Sequence, residues 1–296
     1  MSYWIVVASR DAPDHVVWRK VRELSGEDYA TYQAAARRLS RYSRAHPYAA
    51  VTDAYRRYRE RYNWLTSTFA SLPSGKVFNY EEAANEMSQQ IFTILAAMRR
   101  FLDHTETYLK RNSQEDVLKS FKEACSREFD EHFSYRFAYK LRNFEQHIEG
   151  ALRLHTSTQW KDDSQTEAAM VLSLQFDRDK LLDRFGDWGR HVRPDLARMP
   201  PYFEVDPILQ ETMECLDGIT SAVIKADLPA MTKAARFIND MVGEARRQPG
   251  TIAILEGSVP SRETIIQPGA DLNVTYKEVP LHMVDRLLRR QSSATM

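Results

Sequence analysis

Apolar positions recur at helical spacing through the middle of the chain. Met87, Ile91, Leu95, Met98, Leu102 and Leu109 follow one another at intervals of three, four or seven, which predicts one long helix over about 80–111. At 1.5 Å per residue it would run to about 48 Å, long for a globular helix. Asn112-Ser113 breaks the pattern, and Ser113 followed by Asp116 is a start signal for a second long helix reaching Glu149, with Gly150 as its C-terminal cap. Two long helices on so short a connection pack antiparallel. Upstream, Ser25 with Asp28 opens a helix that turns Tyr29, Tyr32, Ala36 and Leu39 to one face, and Pro47 interrupts it. A further helix from about Thr52 carries Tyr55, Tyr58, Tyr62 and Leu65. Together these four predict an antiparallel helical bundle.

Both ends of the chain follow a different pattern. Residues 3–8 (YWIVVA) are aromatic and β-branched and predict a short strand, whereas the stretch from Trp18 to about Leu72 reads as polar helix. After Leu154, residues 156–166 are polar and read as a linker, residues 169–176 as a strand, and Asp177 as the cap of a helix from Arg178 to about Phe185. Arg193-Pro194 and Pro200-Pro201 mark an irregular segment. Helices over about 207–224 and 228–247 read as a second hairpin capped by Asp206 and Asp227. Strands at Thr251–Glu256 and about 271–277 and a helix over 281–290 close the series. The fold class is mainly α: a bundle with two long helices over residues 1–155, including the strand at 3–8, then a smaller α+β accessory domain over 156–296.

Composition narrows the classes. Hydrophobic residues make up 43% of 296, enough for a substantial core, and the formal net charge is zero with a pI near 7.1. That balance does not announce a nucleic-acid binder, so any basic surface must be local. One candidate is the stretch from Arg37 to Arg61, with eight arginines, two acids (Asp53 and Glu60) and interleaved tyrosines. Such a surface can follow a phosphate backbone and stack on bases. The plainer explanation is a solvated helix face with the tyrosines turned inward. Cys125 and Cys215 are far apart and lack a CxxC partner, so neither a disulfide framework nor a zinc site is expected. No metal and no cofactor is expected. The apolar run at 3–8 is too short for a signal-peptide core or a membrane span, so the expectation is a cytoplasmic protein without a membrane partner.

The chemistry-bearing stretch is Phe133 to Gly150. On a continuous helix Phe129, Phe133, Phe137, Leu141, Phe144 and Ile148 fall within about 120° of one another and form a core stripe. His132, Arg136, Asn143 and His147 lie on one flank of it, within about 60°. Arginine precedes histidine by five residues elsewhere too, at Arg10/His15, Arg41/His46, Arg99/His104 and Arg127/His132. Asn follows the Arg directly in the 142/147 pair alone. Arg142-Asn143-Phe144-Glu145-Gln146-His147 resembles the signature of the HEPN family, an Arg, a polar residue and then a His, over about residues 20–155. The motif lies at the end of an exceptionally long helix here, and Glu145 places an acid within it.

The resemblance implies a helical bundle, a homodimer whose two motifs meet in one cleft, and metal-independent cleavage of RNA, in the setting of toxin–antitoxin or antiviral systems. It also implies an antitoxin or regulatory protein partner. In that chemistry the RNA 2′-hydroxyl attacks the adjacent phosphate. His147 is the acid/base group, Arg142 stabilises the phosphorane oxygens, and Asn143 orients the imidazole or binds a phosphate oxygen. Arg136, with Arg56, Arg57 and Arg59, would hold neighbouring phosphates. The alternative is a non-catalytic HEPN-like module that binds a nucleotide, RNA or a protein partner.

Overall fold

The computed structural model describes residues 2–12, 15–41, 47–72, 77–112, 114–142, 151–160, 168–257, 263–266 and 274–294. The chain is mainly α-helical with small antiparallel sheets. It divides into two compact units, residues 1–46 with 227–296, and residues 47–226. This division differs from the expected one at 155/156.

The first unit is built on a five-stranded antiparallel sheet. Its strands are β1 (Tyr3–Ala12), β2 (His15–Leu24), β6 (Thr251–Glu256), β7 (Glu263–Ile266) and β8 (Thr275–Glu278), in the order β7-β2-β1-β6-β8. Central β1 pairs on one side with β2 and on the other with β6, matching Ile5 to Ile254 and Val7 to Ile252. That pairing ties residues 3–8 to residues 251–256, and it is why sequence order misleads as to domain. Side chains alternate about the sheet. Ile5, Val7, Ile252 and Ile254 face one core, while Val6, Ala253 and Leu255 face a smaller cluster with Trp4, Trp18 and Tyr276. Helix α1 (Gly26–Ser40) adds Tyr29, Tyr32 and Leu39 to the larger core. As expected, the Ser25 side chain caps α1 by accepting from the Asp28 N–H at 3.0 Å. The expectation of helix from Trp18 onward is corrected. Residues 15–24 are strand, with Val16, Val17, Trp18 and Val21 suited to it, and the charges among them mimicked a helix face.

Gly250 turns the chain into β6 with φ +136°, and a Cβ there would lie 2.5 Å from the Ala8 carbonyl oxygen and 2.7 Å from Val7 Cγ1. Gly250→Ala is therefore expected to cost about 2 kcal/mol or more, read as a lower denaturation midpoint. An unchanged midpoint would mean that this close approach does not exist.

The second unit holds α2 (Pro47–Ala70), α3 (Tyr80–Arg111), α4 (Glu115–Glu131) and α5 (Phe133–Leu141). A three-stranded antiparallel sheet follows, β3 (Leu152–Trp160), β4 (Ala168–Asp177) and β5 (Tyr202–Glu204), in that order. Between its strands lie α6 (Arg178–Arg184) and α7 (Gly189–Arg198). α3 has the expected bounds, and Met87, Ile91, Leu95, Met98, Leu102 and Leu109 are all buried. Asn79 caps it, accepting from the Glu82 N–H at 3.2 Å. Asp177 caps α6 as expected, accepting from the Lys180 N–H.

Three expectations in this unit are corrected. Of the linker expected over 156–166, residues 156–160 are strand, the end of β3, which pairs with β4 from Leu152↔Phe176 to Trp160↔Ala168; their Ser, Thr and Gln hid an alternating pattern, and residues 161–166 lie outside the described residues. The helix expected to continue to Glu149 breaks at His132, whose backbone is extended (φ −115°, ψ 113°). The break stands because tertiary partners satisfy the freed backbone groups: Arg136 Nη1 donates to the Phe129 and Asp130 carbonyls, and Glu211 accepts from Ser134. The second helical hairpin is one helix, α8 (Val205–Met241), with Pro229 inside it. Its residues up to Ala226 belong to the second unit and the rest to the first. After it come β6 to β8 and α9 (Leu281–Ala294), the helix expected over 281–290. Among the described residues no helix is long and apolar enough to cross a membrane.

Candidate functional site

Aromatic packing positions α5. Phe137 is fully buried among Phe133, Phe176, Trp188 and Phe203, with ring centroids 5.3–5.9 Å away. Trp188 in turn donates its indole N–H to the Leu181 carbonyl at 2.9 Å. This cluster fixes the position of α5 beside α7.

Arg136 lies on the neighbouring face of α5, its guanidinium 5.9 Å from the Phe133 ring centroid. Its Nε and Nη2 donate to Asp195 Oδ2 at 3.1 and 2.6 Å, and Nη1 reaches the last carbonyls of α4. Its guanidinium is thus a cap for α4 and a tie to α7, and its side chain is only 14% exposed. Next to it lies a cleft of about 240 Å³ lined by Phe129, Arg136, Arg190, His191 and Asp195 among others. Arg190, His191, Arg193 and Arg198 of α7 are exposed, and Asp195 is the one acid in that helix. Phe129 meets the His191 ring edge-to-face at 6.2 Å. Basic side chains beside an aromatic wall can hold a phosphate and a base together.

The expected catalytic residues are only partly placed. Arg142 is half-exposed at the C-terminal end of α5, its backbone N–H directed to the Ala138 and Lys140 carbonyls. Asn143 and His147 lie outside the described residues. The break at His132 takes Phe129 and His132 off the helical wheel that carries Arg136.

The arginines of α2 are paired with acids. Arg56 pairs with Asp53 and Glu60, Arg57 with Asp53, and Arg59 with Asp206. Within the stretch Tyr58 is fully buried and Tyr48 and Tyr55 are half-buried; Tyr29 and Tyr32, buried as well, belong to α1 ahead of it. Burial also pushes the Tyr32 hydroxyl up to about 12. Buried Tyr58 fits the solvated-face explanation, and the three arginines named for RNA already have partners.

A second group of chemical side chains escaped the sequence reading. Glu128 and His132, four apart at the end of α4, meet Glu211 and Cys215, four apart in α8. His132 Nδ1 lies 3.0 Å from Glu211 Oε1, and its Nε2 lies 3.5 Å from Glu128 Oε2. One ligand atom each from Glu128, His132 and Cys215 lies within 4.8 Å of the other two. The Glu211 contact raises the His132 pKa above the ordinary histidine value, and burial works against it. Burial alone would raise the Glu211 carboxyl, but bonds from Ser134 and His132 hold it below the usual range. Burial, then the Glu128 charge, pushes the Cys215 thiol up to about 12. The signal available in sequence was the pair of four-residue spacings, Glu128/His132 and Glu211/Cys215, but nothing in sequence pairs the two helices. Likewise α7 could have been found by counting charges, three arginines and one acid in ten residues.

No protein-family model matches the chain. No curated protein and no solved structure shows a significant similarity to it.

Proposed function

We propose that this chain is a helical module that engages RNA through its phosphates, along the exposed basic face of α7 and the cleft beside it. The observation that carries the proposal is the exposed row of Arg190, His191 and Arg193 on α7, of which Arg190 and His191 line the cleft beside Phe129. Phosphate contacts supply affinity independent of sequence, and the Phe129 ring offers a face for a base. In this proposal α2 to α5 form an antiparallel, HEPN-like bundle and the module works as a homodimer. The cations of α2 are spent on Asp53, Glu60 and Asp206 and take no part.

A second proposal is cleavage, and the observation favouring it is Arg142-Asn143-x-x-x-His147, with Arg142 half-exposed at the end of α5. The module is then a metal-independent endoribonuclease of HEPN type, with His147 as acid/base and Arg142 on the phosphorane.

Two measurements test these proposals on the full chain. In the first, single-stranded RNA binding is followed against salt. Arg190→Ala and Arg193→Ala should each weaken binding alike for different sequences and lower the salt slope by about one. Unchanged affinity in both variants would overturn the binding proposal. In the second, RNA is incubated in EDTA. Cleavage to 2′,3′-cyclic phosphate ends that disappears in His147→Ala and Arg142→Ala supports the enzyme. Intact RNA with the wild-type chain removes it and leaves the binding module.

A further inference from the structure

We propose that Glu128, His132 and Cys215 form a three-ligand site for a divalent transition metal of the zinc class, with Glu211 as the carboxylate that orients the imidazole. The site stands independently of the RNA proposal, because neither α7 nor Arg142 takes part in it.

Geometry comes first. Tetrahedral zinc, with bonds of about 2.0–2.3 Å, holds its ligand atoms roughly 3.3–3.8 Å apart. Glu128 Oε2 already lies 3.5 Å from His132 Nε2, and no pair in the triad exceeds 4.8 Å. Glu211 occupies His132 Nδ1 at 3.0 Å, which leaves Nε2 as the metal-facing nitrogen. A carboxylate on the far nitrogen of a liganding histidine fixes its tautomer and strengthens it as a donor. Glu211 is itself held by Ser134 at the start of α5.

Burial comes second. The Glu128 side chain is 9% exposed and Cys215 is 3% exposed. Glu128 Oε1 takes Arg127 at 2.7 Å, and room for this carboxylate comes from Gly218, where a Cβ would lie 3.3 Å from Oε1. A glycine inside a helix costs stability, so an approach of this kind has a cause. The Cys215 thiol is directed at the Glu128 carboxylate, which brings sulfur, imidazole and carboxylate to one point. Sulfur with imidazole selects zinc-class ions over calcium and magnesium. On binding, the thiol proton leaves to solvent and the thiolate takes the metal. Three protein ligands leave a fourth position for water.

The test uses metal-free full-length chain titrated with Co²⁺ alone. One equivalent should give thiolate-to-cobalt charge-transfer absorption and tetrahedral visible bands, which Zn²⁺ then bleaches. Cys215→Ser and His132→Ala should abolish the signal with the far-ultraviolet circular dichroism unchanged. Cys125→Ser should keep it. Glu211→Gln should keep the bands and weaken affinity 10–100-fold. Absence of a thiolate band in the wild type overturns the site, as does its survival in Cys215→Ser. If His132→Ala does not fold, Glu211→Gln still decides, because equal affinity there overturns the oriented-imidazole geometry.

Discussion

Phe137→Ala is expected to destabilise the second unit by about 4 kcal/mol, near the middle of the range for buried aromatic truncations. Phe137 is fully buried, and its ring meets Phe133 of α5, Phe176 of β4, Trp188 before α7 and Phe203 of β5. Those neighbours sit on separate elements, each held by its own hydrogen bonds, so the cavity cannot close by one local shift. Stacking on Phe133 and Trp188 and the edge contacts with Phe176 and Phe203 are lost as well. Phe137→Leu keeps most of the volume and should recover more than half of the loss. Urea denaturation measures both, as a fall in midpoint at constant slope. An Ala variant within about 1 kcal/mol of wild type would show that the aromatic cluster does not hold α5. The variant also bears on function, because α5 carries Arg136 and Arg142.

Sequence reading placed Phe137 on a core stripe, and it succeeded wherever structure is set by nearby residues. The bounds of α3, the caps at Ser25 and Asp177 and the strand at β6 follow from spacing, capping groups and β-branched runs. It failed where a distant partner decides. β3 is polar and becomes a strand by pairing with β4. The turn at His132 has no Pro or Gly, and stands on Arg136 from the same helix pair and Glu211 from α8.

The candidate sites show the same divide. The arginines of α2 were visible as a basic run, but the acid that takes Arg59 is Asp206, 147 positions away. Arg136 was legible as a cation on a flank, yet its work is to cap α4 and bind Asp195. Cys215 looked isolated because its neighbours Glu128 and His132 belong to another helix.

Arg38→Ala is the second large effect, with an expected loss of about 3–5 kcal/mol in the first unit. In sequence Asp227 reads as the cap of a helix, and an Asp cap contributes about 1 kcal/mol, without any dependence on Arg38. In the structure Asp227 lies within α8 and its side chain is fully buried, while Arg38 Nε donates to Oδ1 at 2.9 Å and Nη2 reaches the same oxygen. Removing the guanidinium takes the Arg38 charge and its two hydrogen bonds from a carboxylate held away from water, and that desolvation is what the variant exposes. Arg38→Met with Asp227→Leu removes both charges and should recover much of the loss. The double-mutant cycle should then show a coupling of more than about 1 kcal/mol. Because the pair is largely buried, added salt should change the result little. If Arg38→Ala falls within about 0.5 kcal/mol of wild type while Asp227→Ala costs about 1, the cap explanation is right and the buried pair is not what holds this unit.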